Sequence, residues 1–156
     1  MDYITCFCSR WFSFGGISIL NKKYLLYGLG LSNSTVKQYF DLNDILYDVY
    51  LENNEMIDLD EYDIIVKSAG IKFDTFLLAQ AKKKNILVIS DLELMYMLNN
   101  DLQYIIVTGT NGKTTTTTLI KMLLNVEAYG NIGNPIFNKL LTNDPNNECL
   151  IEASSF

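Results

Sequence analysis

The stretch "GTNGKTTTTTLI", Gly109 to Ile120, limits the fold more than any other part of the chain. It admits two readings. Asn-Gly is a strong two-residue hairpin signal and threonine is a strand former, which suits a turn between antiparallel strands. Gly-Lys-Thr between a strand and a helix is instead a device for holding phosphate. The residues downstream decide. Leu119, Ile120, Leu123 and Leu124 recur at i, i+1, i+4 and i+5, which is helical spacing and not alternation. A threonine run is poor by helix propensity, but a first helical turn offers free N–H groups that a bound anion satisfies. The sequence therefore predicts a strand, a glycine loop and a helix. Gly109, Thr110, Asn111, Gly112, Lys113, Thr114 and Thr115 form the expected phosphate cradle, with Lys113 as its point charge. Only Thr110 and Asn111 separate the two glycines, where the common phosphate loop has four residues. That spacing points to a particular branch of phosphate-binding folds.

The remainder of the chain alternates in the same way. "KYLLYG" (23–28) is a buried-strand candidate ending at Gly28, and Ser32 or Asn33 can cap a helix over 33–41. "DILYDVYL" (44–51), "DIIVKSAG" (63–70) and "NILVIS" (85–90) read as further strands. Residues 73–84 place Phe73, Phe76, Leu77 and Ala81 at helical spacing, with lysines in the last turn where the helix dipole favours them. "LELMYMLN" (92–99) is a short helix, and polar "NNDLQ" (99–103) is a linker. "YIIVTG" (104–109) and the start of "ECLIEASSF" (148–156) are strands. Strands alternating with helices predict an α/β class with parallel sheets.

Composition excludes several functions. The 156 residues are 49% hydrophobic and 19% charged, which suits a globular protein. Net charge is −6 and the longest basic run is Lys82-Lys83-Lys84, so an electrostatic footprint for nucleic acid is missing. There is no histidine, which removes imidazole catalysis and histidine metal sites from this chain. Cys6, Cys8 and Cys149 are odd in number and lack a zinc spacing, which reads as buried or idle thiols in a reducing compartment. "WFSFGGISIL" (11–20) is broken by Gly15-Gly16 and is too short for a membrane span. A soluble, cytoplasmic monomer with no membrane or nucleic-acid partner is expected, with residues 1–22 as an extension.

A second glycine motif is "YGLGLSNS" (27–34), Gly-x-Gly between a strand and a helix. Such turns let a diphosphate approach backbone N–H groups at a helix N-terminus. Asn33 stands where a full dinucleotide fingerprint has its third glycine. A tight βα turn that needs glycine only for its geometry is the alternative. Asp48 closes or follows the second strand, where a ribose- or uracil-reading carboxylate sits; a solvated strand-end aspartate is an equal reading.

"VTGTNGKTTTT" resembles the ATP-binding loop of the Mur ligases, the ATP-dependent amino-acid ligases of peptidoglycan synthesis. "GNIGNP" (130–135) and "IEASSF" (151–156) resemble the next two blocks of the family's D-glutamate-adding branch. "YGLGLSNS", "VKSAGI" (66–71) and "AKKKNILVISDLELM" (81–95) resemble its UDP-binding domain, so the resemblance covers about residues 23–156. It implies a Rossmann-like UDP-substrate domain over 23–99 and the first part of an ATP-binding domain over 104–156. It implies ATP and Mg²⁺ as cofactors, and UDP-N-acetylmuramoyl-L-alanine and D-glutamate as substrates. Lys113 then contacts the β- and γ-phosphates, while Thr114 and Glu152 ligate Mg²⁺, with Lys113 and Glu152 as the catalytic pair. Asn131 and Ser154 hold the UDP-muramoyl substrate near the ATP. Leu31, Ser32 and Asp48 meet the uridine diphosphate, with Gly70 nearby.

Two departures fall in the UDP domain: Asn33 replaces the usual glycine, and Ala69 replaces a usual proline. The family's carbamylated lysine, metal-binding histidine and amino-acid-binding C-terminal domain have no match before Phe156. The expectation is a fragment that does not complete the ligation alone. A UDP-sugar or nucleotide-binding remnant, or another ligase of the Mur and folylpolyglutamate type, stays open.

Overall fold

The computed structural model describes residues 4–5, 21–52, 57–72, 74–99 and 101–154. They fall into two compact units, one of residues 16–98 and the other of residues 99–156 together with 1–15. The chain's first strand, β1 (Ile4–Thr5), belongs to the second unit; residues 1–3 and 6–20, including Cys6 and Cys8, lie outside the described residues.

The first unit carries β2 (Tyr24–Tyr27), α1 (Leu31–Leu42), β3 (Tyr47–Tyr50), β4 (Ile64–Lys67), α2 (Phe76–Lys83), β5 (Leu87–Ile89) and α3 (Asp91–Leu98). Its four strands are parallel in the order β3-β2-β4-β5. β2 and β4 are buried at every residue, which explains their apolar runs, interrupted only by Lys67 at the end of β4. On one face, Leu25, Tyr27 and Ile65 pack with Leu77, Leu78 and Ala81 of α2. Elsewhere in the unit the Tyr24 ring meets Phe40 of α1 at 4.8 Å between centroids. Local chemistry starts the helices. Thr75 accepts a hydrogen bond from Leu78 N at the head of α2, and Ser90 and Glu93 form a reciprocal capping box at α3.

The second unit continues with β6 (Gln103–Val107), α4 (Lys113–Leu124), β7 (Ala128–Gly130), α5 (Asn138–Leu141) and β8 (Glu148–Glu152). The sheet order is β1-β6-β8-β7, with β6, β8 and β7 parallel and β1 antiparallel to β6. Val107 of β6 and Gly130 of β7 both register with Glu152 of β8, so three strands end together. Val107, Val126, Ala128 and Leu150 form the core beneath α4, packed with Ile105, Ile120 and Ile132.

The helix after the glycine loop is present, but its apolar residues do not all face the core. Thr117 is its fully buried residue, while Leu119, Met122 and Leu123 are exposed. At 100° per residue these three lie on the side opposite Thr117. Strands also run shorter than the sequence implies: Tyr47–Tyr50 within the expected 44–51, and Ile64–Lys67 within 63–70. β1, β7 and α5 carry no sequence signal of their own and depend on tertiary pairing.

Candidate phosphate and nucleotide sites

In the second unit, the loop leaves β6 at Thr108, passes Gly109 and turns into α4 at Gly112. Gly112 has φ +76, a left-handed conformation that side chains disfavour, although a Cβ there meets nothing within 4 Å. The glycine is needed for the turn and not for space. No side chain caps α4, so its first-turn N–H groups are free of side-chain partners. Lys113 folds back along the loop, its Nζ donating to Gly109 O at 2.6 Å. Thr110, Asn111, Thr114 and Thr115 are exposed along the loop and the first turn of α4. An uncapped helix N-terminus, open hydroxyls and an adjacent ammonium are groups that suit an anion.

Glu152 closes β8 at the same sheet edge. It is only 5% exposed, and its Oε2 is buried with no hydrogen-bond partner among the described residues. A buried carboxylate oxygen without a partner is costly, and a cation relieves it. Among the described residues no group of three or more His, Cys, Asp or Glu could hold a metal by itself. The donors present are oxygens, a chemistry that fits Mg²⁺, which takes one or two protein oxygens while phosphates and waters fill its other positions. Glu152 and the Thr114 hydroxyl are the residues that would hold it.

The turn after β7 is locked to the same edge. Asn131 N donates to Glu152 O at 2.9 Å, and Asn131 Nδ2 donates to Ser154 Oγ at 2.5 Å. Gly130 has φ +92, and a Cβ on it lies 2.4 Å from Glu152 O, so only glycine fits this approach. Thr108 Oγ1 donates to Ser154 O at 3.3 Å, joining the loop to the end of β8. The structure therefore brings Gly109 to Thr115, Asn131, Glu152 and Ser154 to one edge of the second unit.

The first unit has its own uncapped helix. Gly30 precedes α1 without a side-chain cap, and Leu31 is 65% exposed at the first helical position with Ser32 beside it. The turn carrying Gly70 abuts β2, since Ser68 N donates to Tyr27 O at 2.9 Å. Lys67 braces that turn, its Nζ donating to Ile71 O at 2.7 Å and to Ser68 O at 3.2 Å. Burial pulls the Lys67 ammonium below its usual range, partly offset by Asp91. Asn33 is fully buried, and its Nδ2 donates to the carbonyls of Tyr27, Gly28 and Val66. The residue that departs from the glycine pattern thus ties the ends of β2 and β4 to α1.

Asp48 is placed differently from the expectation. It lies inside β3, opposite Leu25, not at the strand's end. Its Oδ2 accepts from Tyr62 OH at 2.8 Å and pairs with Lys23 at 3.0 Å, at the end of the sheet away from Gly28. Lys23, with Tyr62, holds the Asp48 carboxyl below the usual range. The carboxylate that follows β3 at the glycine-turn edge is Glu52, which accepts from Tyr27 OH. The shorter strand explains the difference: alternating "DILYDVYL" does not reveal which residue is last. The sequence signal for Lys67 was a lone cation ending an apolar strand; Asn33 was visible only as a departure.

The fold and these two edges define an α/β protein with two helix N-termini that no side chain caps, one in each unit. Residues 107–153 match the Mur ligase middle domain. The chain is 34% identical over 151 residues to a UDP-N-acetylmuramoylalanine--D-glutamate ligase of Oenococcus oeni, covering 87% of this chain and 34% of that relative. It is 38% identical over 157 residues to the ligase of the same name from Limosilactobacillus fermentum, covering 90% of this chain and 34% of the relative. For that of Clostridioides difficile the identity is 33% over 120 residues, covering 74% and 26%. Over these residues the chain is similar to the Mur ligase family. It spans about a third or less of the length of these curated relatives. Among the described residues no helix is long and apolar enough to cross a membrane.

Proposed function

We propose that the second unit binds Mg²⁺-ATP and the first binds the uridine diphosphate of UDP-N-acetylmuramoyl-L-alanine, in the service of D-glutamate ligation. One observation carries the reading. An uncapped helix start with Lys113 shares its sheet edge with Glu152, whose buried oxygen has no partner. The names of the relatives support the substrates.

In this reading the substrate carboxylate attacks the γ-phosphate of ATP and ADP departs. The amine of D-glutamate then attacks the acyl carbon, phosphate leaves, and an amide remains. The chain's own residues contribute position and charge. First-turn N–H groups of α4 and the Lys113 ammonium hold phosphate oxygens, and Lys113 exchanges its internal bond to Gly109 O for them. Thr114 and Glu152 would hold Mg²⁺, which when bound would supply neutralisation of phosphate charge. Asn131 and Ser154, already hydrogen-bonded to each other, offer amide and hydroxyl groups to the muramoyl substrate. Leu31, Ser32 and the Gly70 turn line the diphosphate site, with Glu52 in the place expected of Asp48. The proposed setting is a cytoplasmic, monomeric protein of peptidoglycan synthesis.

Calorimetric titration of the 156-residue chain tests the reading. Mg²⁺-ATP binding is expected, and Lys113→Ala should weaken it by about tenfold or more. Unchanged affinity in Lys113→Ala removes the cradle. UDP binding without ATP binding favours a UDP-sugar module instead.

A further inference from the structure

Thr117 is the second buried polar side chain near the loop. It is 0% exposed, and its Oγ1, like Glu152 Oε2, is buried without a partner among the described residues. Two packing facts place these groups opposite each other. Leu150 of β8 and Ile120 of α4 belong to one core cluster, so this face of β8 looks at α4. Side chains two apart on a strand share a face, which puts Glu152 on the same side as Leu150, one step nearer the phosphate edge. Side chains three apart on a helix share a face, which puts Thr117 on the side of Ile120, one turn nearer the loop. A helical turn advances about 5.4 Å and two strand residues about 6.6 Å, so the two steps keep pace.

Two facing oxygens, both buried and both unpartnered, are unfavourable unless something joins them. Neither oxygen has a hydrogen-bond partner among the described residues, the other included, and a buried water is the ordinary group that joins two such oxygens. Resting on the proposed Mg²⁺-nucleotide site, we infer that Thr117 is a positioning residue for Glu152. Its hydroxyl, through one buried water, holds Glu152 Oε2 and fixes the carboxylate so that its other oxygen serves the cation. The threonine run thus has a division of labour: Thr114 at the mouth of the site and Thr117 one turn behind it.

Two measurements on the full chain test this. The first needs no nucleotide. Thermal unfolding of Thr117→Val, Glu152→Leu and the double variant should be strongly non-additive. Thr117→Val should lower the midpoint by about 3 °C or more when Glu152 is present and change it little in Glu152→Leu. Additive shifts overturn the partnership. The second compares ATP affinity with Mg²⁺ and with EDTA. Thr117→Val should lose about fivefold or more of the Mg²⁺-dependent gain while affinity in EDTA holds, and Thr117→Ser should retain the gain. Equal losses in both conditions, or no loss in either, overturn the positioning role. A wild-type chain that binds no Mg²⁺-nucleotide sinks the phosphate-site reading and the service to the cation with it; the unfolding cycle then still decides whether Thr117 and Glu152 are partners.

Discussion

Glu152 carries a carboxylate into a nearly closed position and leaves one oxygen without a hydrogen bond. Such a group serves a ligand at the expense of the free protein's stability. Glu152→Gln should therefore raise the stability of the chain in EDTA by about 1–3 kcal/mol, read by urea denaturation, and remove the Mg²⁺-dependent gain in nucleotide affinity. A loss of stability in EDTA would show that the carboxylate's contacts inside the protein, the water-mediated one proposed to Thr117 among them, outweigh its burial cost. Asn33 is a different case: its Oδ1 is also buried without a partner, but its Nδ2 serves the fold. Asn33→Ala strips one donor from three carbonyls, and a loss of about 1–3 kcal/mol is expected in the same assay. These two residues differ in how legible they were. Glu152 stood out because a charge in an apolar strand demands a reason. Asn33 read only as a missing glycine, since a buried amide cross-linking two strand ends leaves no periodic trace.

Elements are held by different means at the two ends of the second sheet. At the edge where β8 ends in Glu152, the turn after β7 depends on close backbone approach. Gly130→Ala places a Cβ 2.4 Å from Glu152 O at a positive φ, and should cost about 2 kcal/mol or more together with the Asn131–Ser154 geometry. Retained stability and retained UDP-muramoyl affinity would count against that coupling. α5 is fixed by a buried pair. Lys139 and Asp144, 2% and 8% exposed, lie 3.0 Å apart, and Tyr129 OH donates to the same carboxylate. Burial pushes Asp144 up, but Asn146 N–H, Tyr129 and Lys139 together outweigh it and hold the carboxyl below its usual range. Nearby, burial pushes the Cys149 thiol up to about 12, which keeps it a neutral core residue. A depressed aspartate contributes stability that is complete above its unfolded pKa, near 3.9, and is lost as pH falls through the folded value. Asp144→Asn should thus be about 3 kcal/mol less stable than the parent at pH 7, with the gap closing below about pH 4. A gap independent of pH would assign the loss to packing. The sequence exposed strands and the loop-to-helix transition because their periodicities are local. It did not expose β7 or α5, three and four residues long, because their stability comes from partners distant along the chain.

At the scale of the whole molecule, two sheets with separate cores give each proposed ligand its own unit to stabilise. Ligand binding to the native state protects the amides whose opening it opposes. In hydrogen exchange, Mg²⁺-ATP should slow β6, α4 and β8, and UDP should slow β2, α1 and β4. Protection of the opposite unit by either ligand would contradict the assignment. The division also has a temporal side. The first unit is continuous in sequence, whereas the second draws β1 from the beginning of the chain and its other strands from beyond residue 99. During synthesis Ile4–Thr5 leaves the ribosome roughly a hundred residues ahead of β6, an interval of about 5–20 s at ordinary elongation rates. Throughout that interval the first unit can assemble from its own contacts. β1 emerges before β6 and is then among the last of these strands to find its place, alongside the strand that leads into the Gly109–Thr115 loop.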